Sequence, residues 1–393
     1  MSQPTAVLRK TNLERIFNGH PWIYGNEIER VKGKPAEAGA IVDVVTKSDR
    51  FVGKGYYNPG SQITVRLLSR NPDEEINEEF FRQRILACRM YREKIGYEKN
   101  YRLVFGEADF LPALVIDIFD GAFVLQTLAL GMDRWKEVIV SILKKELSPL
   151  GIYERNDVPV RRLEGLDERT GFLSDPFPTM IHIEDDGIQF QVDIAGGQKT
   201  GFFLDQKENR QALRGIAQDA EVLDCFCYTG SFALAAAKFG ARSVTAIDIS
   251  EEAIQQAKLN ASLNPFGTVC QFQAANAFDL LPQWSREKRS FDIVILDPPA
   301  FTKSRSGISS AVRGYKEINL RAMKLIRPGG FLLTFSCSHF MQRDQFYKLV
   351  SEAALDARKT IRQVAFLSQA KDHPVVWSIP ETNYLKGFLL QVV

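Results

Sequence analysis

Phe291-Asp292-Ile293-Val294-Ile295-Leu296-Asp297-Pro298-Pro299-Ala300-Phe301 is the stretch on which the reading of the fold turns. Its apolar run, Ile293 to Leu296, has the length and β-branching of a strand buried on both faces. Two consecutive prolines then fix φ and remove two backbone donors, so the run cannot continue as a central strand. The strand must give way to a rigid, extended turn with Asp297 at its start. Outward from this point, apolar runs alternate with helical stretches. Glu221–Cys225 precedes a helix at 231–239, and Ser243–Ile247 one at 251–263. Val269–Gln273 precedes a helix at 276–283, Phe291–Leu296 one at 314–326, and Phe331–Ser336 one at 342–357. The alternation predicts an α/β domain, a largely parallel sheet covered by helices, with ligands at the carboxyl ends of the strands.

Polar residues stand where those strands stop. Val222-Leu223-Asp224 runs into Cys225-Phe226-Cys227-Tyr228-Thr229-Gly230-Ser231, where Gly230 lets the backbone approach a ligand beside a helix N-terminus. An ordinary βα turn would read the same way. Asp248 ends the second strand, about 20 residues beyond the glycine turn, where an acid suits the two hydroxyls of a ribose. Asn276 offers an edge to adenine and equally the chemistry of a helix N-cap. The Asp297-Pro298-Pro299 turn resembles the motif with which class I methyltransferases grip the amino group of a target base, and Phe301 presents a ring on which a base can stack. The fifth strand ends in Ser336-Cys337-Ser338-His339. Cytosine carbon 5 is a poor nucleophile, and a thiolate adding to carbon 6 converts it into an enamine that attacks a methyl group. Cys337 is therefore a candidate nucleophile, provided a lowered pKa or a nearby base activates it; a quiet core cysteine is the alternative.

The 393 residues suffice for two or three domains with their own cores. Residues 1–72 read as short strands (Ile41–Thr46, Phe51–Tyr57, Ile63–Ser69), a β-barrel-like module. Residues 73–190 read as α+β, with a helix near 77–95 and a hairpin around Asp185-Asp186-Gly187. Residues 191–393 hold the α/β domain. The formal charge is only +2, but residues 1–70 carry 11 Lys and Arg against 6 acids, 11 − 6 = +5, as a nucleic-acid-binding face would. No run of about 18 apolar residues occurs, so neither a signal peptide nor a membrane span is expected. Five cysteines, with Cys225 and Cys227 two apart, and four scattered histidines suit neither a disulfide framework nor zinc. A reduced, cytoplasmic protein without a structural metal is expected.

Gly196-Gly197-Gln198-Lys199-Thr200-Gly201-Phe202-Phe203-Leu204-Asp205-Gln206, with Asn209-Arg210 just beyond, is similar to the entry motif of large-subunit ribosomal RNA methyltransferases of the RlmI type. Asp224 to Gly230, Asp248, Asn276, Asp297-Pro298-Pro299 and Ser336-Cys337-Ser338 come in that family's order. His20-Pro21-Trp22-Ile23-Tyr24 and Gly55-Tyr56-Tyr57-Asn58-Pro59 resemble its N-terminal PUA domain. Glu107-Ala108-Asp109-Phe110-Leu111-Pro112 and Glu154-Arg155-Asn156-Asp157 resemble its central domain. The resemblance covers nearly the whole chain. It implies a Rossmann-like class I methyltransferase domain that uses S-adenosylmethionine, a PUA domain that holds ribosomal RNA, and 5-methylcytidine as product. It also implies that Cys337 is the nucleophile and that Asp297 orients the cytosine, bordered by Pro298, Pro299 and Phe301. Asp248 would bind the cofactor ribose, Gly230 and Asp224 would border its methionine part, and Asn276 would meet the adenine. Phe226, Tyr228, Ile249, Ala277 and Asp297 would line the same pocket, with Lys199, Phe203 and Asp205 closing its other side. Family members are often dimeric, which makes a homodimer one expected state.

Two departures stand out. Many RNA cytosine-5 methyltransferases carry a second cysteine after the prolines, where this chain has Ala300; the RlmI-type pattern also lacks it. The Asp224–Gly230 turn has one glycine rather than Gly-x-Gly. Two other readings keep part of this picture: a base-nitrogen methyltransferase that needs no thiol, and a non-catalytic RNA-binding assembly factor.

Overall fold

The computed structural model describes residues 4–9, 13–33, 36–302 and 304–393; Lys10 and Lys34 of the basic balance lie outside the described residues. The chain forms two compact units, and it crosses between them several times. The first comprises 1–183, 192–204 and 371–382, the second 184–191, 205–370 and 383–393.

In the first unit, one six-stranded sheet runs in the order Trp22–Tyr24, Ile63–Ser69, Phe51–Tyr57, Ile41–Val45, Thr5–Leu8, Ile28–Lys32. Ile23, Val42, Val44 and Val65 fill its core. A five-stranded sheet runs in the order Arg169–Phe172, Gly151–Asn156, Ala122–Thr127, Leu114–Phe119, Tyr101–Phe105, with helices Glu78–Lys94 and Lys136–Leu147 among its packing partners. Several residues of the family-like motifs act here as polar ties. Asn58 and Ser61 donate to Glu164, which also pairs with the buried Arg66. Arg92 grips Asp109 with both terminal nitrogens. The buried Arg66 and Arg92 thus each have a carboxylate partner that offsets their desolvation.

The hairpin Met180–Asp185 and Ile188–Asp193 forms as its Asp-Gly step predicts. Asp186 and Gly187 take φ of 50° and 66°, the pair of positive values a tight two-residue turn requires.

The second unit is built on a seven-stranded sheet. Its strands are β1 (Glu221–Cys225), β2 (Ser243–Asp248), β3 (Cys270–Ala274), β4 (Phe291–Leu296), β5 (Ile326–Ser336), β6 (Ile361–Ser368) and β7 (Lys386–Val392). The order is β3-β2-β1-β4-β5-β7-β6. The first five are parallel, and β7 is antiparallel to both β5 and β6. The helices are α1 (Ser231–Lys238), α2 (Glu251–Ser262), α3 (Ala277–Arg286), α4 (Ile308–Leu325) and α5 (Arg343–Asp356). Leu223, Ile247, Val294, Leu296 and Leu332 pack with Tyr315, Ile318 and Met323 of α4 in one core. Ser250 and Asn276 cap α2 and α3 by accepting from the Ala253 and Phe278 N–H groups. Helix α4 begins six residues before the predicted 314, and β6 and β7 lie beyond the last predicted element. No described helix is long and apolar enough to cross a membrane.

Candidate active site

The carboxyl ends of β1, β2, β4 and β5 converge with the amino end of β7, which runs the other way. The glycine turn after β1 is held from several sides. Cys227 N–H donates to Ile247 O (3.0 Å), Gly230 N–H to Cys227 O (2.8 Å), and the buried Asn260 of α2 donates from Nδ2 to Thr229 O (3.0 Å). Phe226, Tyr228 and Gly230 all have positive φ, at 65°, 48° and 85°. Two aromatic residues therefore occupy left-handed positions that glycine fills at no steric cost, a strain of order 1 kcal/mol each. The single-glycine departure in the sequence is thus met by strained aromatics.

Asp248 accepts from the Tyr228 N–H (2.9 Å) and the Ser250 N–H (3.0 Å), one bond on each oxygen. Each oxygen keeps a further lone pair for a diol. Next to it Ile249 is 73% exposed, a large apolar surface that nothing in its own chain covers. The Asn276 oxygen caps α3, so its amide N–H₂ is the part left to meet a ligand; Ala277 behind it is buried. Asp224 is fully buried, and neither carboxylate oxygen accepts a well-formed hydrogen bond among the described residues. Burial pushes its pKa well above the usual carboxylate range, with Asp297 and Asp248 adding to the effect and the Ala233 N–H opposing it. A cationic group would satisfy this carboxylate, a ribose suits Asp248, and an adenine face suits Ile249. The residues present fit S-adenosylmethionine.

Asp297 is oriented by a short relay. Gln206 Nε2 donates to Asp297 Oδ1 (2.8 Å), Asn209 Nδ2 donates to Gln206 Oε1 (2.6 Å), and the same Asn209 nitrogen donates to Ser368 O (2.9 Å). Asp205, next to Gln206, accepts from the Tyr384 hydroxyl. The Cys337 thiol lies against the proline turn, with Sγ 3.6 Å from the Pro298 carbonyl. The Tyr315 phenol is pushed up by burial and is within electrostatic reach of both Cys337 and Asp297. Phe301 is half-buried; its ring centroid lies 4.4 Å from that of Tyr315, and Phe278 and Phe226 flank it. Pro298 is buried and Pro299 exposed.

The structure thus gathers Asp205, Asp224, Phe226, Tyr228, Gly230, Asp248, Ile249, Asn276, Ala277, Asp297, Pro298, Pro299, Phe301 and Cys337 in one unit. Lys199 and Phe203 belong to the other unit, where the lysine Nζ sits 4.2 Å from the Phe203 ring centroid. Cys337 is half-buried at a strand end, as is Cys270 elsewhere, whereas the other three cysteines are buried. Cys88, Cys225 and Cys227 are buried with thiols pushed up by desolvation, and Cys270 is pushed to about 12. Among the described residues no group of three or more His, Cys, Asp or Glu is placed to hold a metal ion. Sequence reasoning missed Gln206, Asn209, Asn260 and Tyr315 as parts of this site. Gln206 and Asn209 stand in the entry motif, but only proximity to Asp297 gives them a task.

Comparisons with known proteins agree with this architecture. Residues 6–70 match the PUA-like domain family, and residues 162–388 match the S-adenosylmethionine-dependent methyltransferase family. The chain is 42% identical over 389 residues to ribosomal RNA large subunit methyltransferase I of Shewanella amazonensis, covering 98% of this chain and 97% of that one. It is 40% identical over 395 residues to the protein of the same name from Tolumonas auensis, covering 99% of each. Among solved structures, the candidate methyltransferase SMU.776 complexed with SAH superposes with a TM-score of 0.85 at 20% identity, over 99% of this chain and 100% of that one. That likeness speaks for the fold alone.

Proposed function

Because the chain belongs to the ribosomal RNA large subunit methyltransferase I family, with its PUA-like and S-adenosylmethionine-dependent methyltransferase domains, we propose that it methylates carbon 5 of a cytosine through a covalent bond from Cys337. The observation that carries this reading is the Cys337 thiol lying 3.6 Å from the carbonyl of Pro298, inside the Asp-Pro-Pro turn. A nucleophile and a base-gripping acid then stand side by side at the mouth of one sheet.

When bound, S-adenosylmethionine supplies an electrophilic methyl group. Asp224 would border its methionine part, Asp248 would hold its ribose, and Asn276 and Ile249 its adenine; Phe226, Tyr228, Gly230 and Ala277 would shape the pocket, with Asp205 beside them. Asp297, fixed by Gln206, accepts a hydrogen bond from the cytosine amino group while Pro299 and Phe301 border the ring. Cys337 as thiolate adds to carbon 6, and the electron pair of the carbon 5–carbon 6 double bond becomes available at carbon 5. After methylation, water or another base takes the carbon 5 proton, the C–H electron pair restores the double bond, and the Cys337 thiolate leaves carbon 6. The PUA-like domain, residues 1–72 in this reading, holds the RNA.

Digestion of large-subunit ribosomal RNA after reaction with the purified protein, then nucleoside mass spectrometry, tests the product. The expected new nucleoside is 5-methylcytidine. A methyl group on a base nitrogen would remove the need for Cys337 and overturn the reading.

A further inference from the structure

Lys386 opens β7 directly opposite Ser336, in register across the antiparallel pair. Its side chain is buried, 5% exposed, and Nζ donates to the Ser338 carbonyl (2.7 Å), so the amine reaches the segment whose middle residue is Cys337. On its other side β6 offers Ser368, an uncharged residue, in register with it. No carboxylate among the described residues pairs with it. A lysine desolvated without an acidic partner has no structural gain from its charge, because burial disfavours the charged form and a single carbonyl compensates little.

We propose that Lys386 takes the Cys337 thiol proton and, as the ammonium, holds the resulting thiolate. The S–H bond breaks with its electron pair remaining on sulfur, and an N–H bond forms at Nζ; the pair shares one proton and needs no other reactant. This rests on the reading of Cys337 as nucleophile and supplies the activation that such a thiol requires. Burial lowers the lysine pKa to about 8 while Cys337 raises it, which places the amine where it exchanges a proton with a thiol near neutral pH. The other titratable groups near Cys337 are Tyr315 on α4 and Asp297, which precedes the Pro298 that Cys337 touches, with His339 two residues along the chain in the turn after β5. Asp297 opposes a thiolate as an anion, and the Tyr315 phenol, pushed up by burial, stays neutral. Lys386 is thus the cation of the set on a neighbouring strand.

The test is the pH profile of Cys337 alkylation by iodoacetamide, read peptide by peptide by mass spectrometry on the full chain without RNA or cofactor. In Lys386→Met the inflection moves up by about one pH unit or more, and alkylation at pH 7 falls about tenfold. Lys386→Arg, which keeps a cation at this position, restores the low inflection. Thermal melting and cofactor calorimetry on each variant separate this from misfolding, and Lys386→Gln replaces Lys386→Met if the latter does not fold. An unchanged profile in a folded Met or Gln variant overturns the role of Lys386. Covalent trapping by fluorinated RNA judges Cys337 independently, so the two readings can fail separately.

Discussion

The two ends of the seven-stranded sheet treat charge in opposite ways. At the amino ends of β1, β4 and β5, Glu221 pairs with Arg242 and Arg327, and Arg327 pairs with Asp292, all partly exposed. Hydrogen bonding to Arg327 lowers the Glu221 pKa, and its two acid partners raise that of Arg327. At the opposite edge Asp224 and Lys386 are buried without ionic partners, and desolvation pushes each towards its neutral form. Exposed, paired charges stabilise little and keep fixed protonation states. Desolvated, unpaired charges are costly to the fold and gain from a ligand or a reacting group, which is why perturbed groups cluster at sites. The edge proposed to carry function thus differs from the opposite one in its electrostatics.

Substitutions at the two edges test that contrast. Cys337→Ala has the largest expected effect, a fall in methyl transfer of at least about 10³-fold with cofactor binding retained, measured by single-turnover methylation. Asp297→Asn comes next, at about 10²-fold, because the base loses its charged acceptor while the fold is kept. Asp224→Asn weakens cofactor binding in calorimetry yet stabilises the ligand-free protein at pH 8 by about 1 kcal/mol or more. The sign comes from its raised folded pKa. The contribution of Asp224 is complete below the ordinary carboxylate pKa and declines as pH climbs towards the raised folded value. The stability gap between variant and parent should widen with pH over that window in chemical denaturation. Glu221→Gln, at the other edge, should cost no more than about 1 kcal/mol and leave methylation unchanged. An Asp224→Asn protein with parental stability at every pH would break the contrast.

Much of this edge was legible in the sequence because the strands that carry it are buried on both faces. β1 and β4 match their predicted bounds, since Val222-Leu223 and Ile293–Leu296 have no polar interruption to blur them. Asp248, Asp297 and Cys337 were found as polar residues terminating such runs. The strand Gly151–Asn156 was not legible, because Glu154, Arg155 and Asn156 are buried polar residues whose partners come from elsewhere in the chain. β6 and β7 were missed for related reasons: β6 is mostly exposed, and β7 opens with Lys386-Gly387, which reads as a turn. Lys386 was lost with its strand. The strain at Phe226 and Tyr228 was also hidden, since aromatic residues give no local signal for a left-handed backbone.

The most direct measurement is capture on RNA in which the target cytidine is 5-fluorocytidine. Fluorine at carbon 5 cannot leave as a cation, so the thioether to carbon 6 cannot be eliminated after methylation. Covalent catalysis by Cys337 predicts a denaturation-resistant protein–RNA adduct that requires S-adenosylmethionine, maps to the Cys337 peptide and disappears in Cys337→Ala. Full methylation of ordinary RNA by Cys337→Ala, with no adduct from the parent protein, would contradict it.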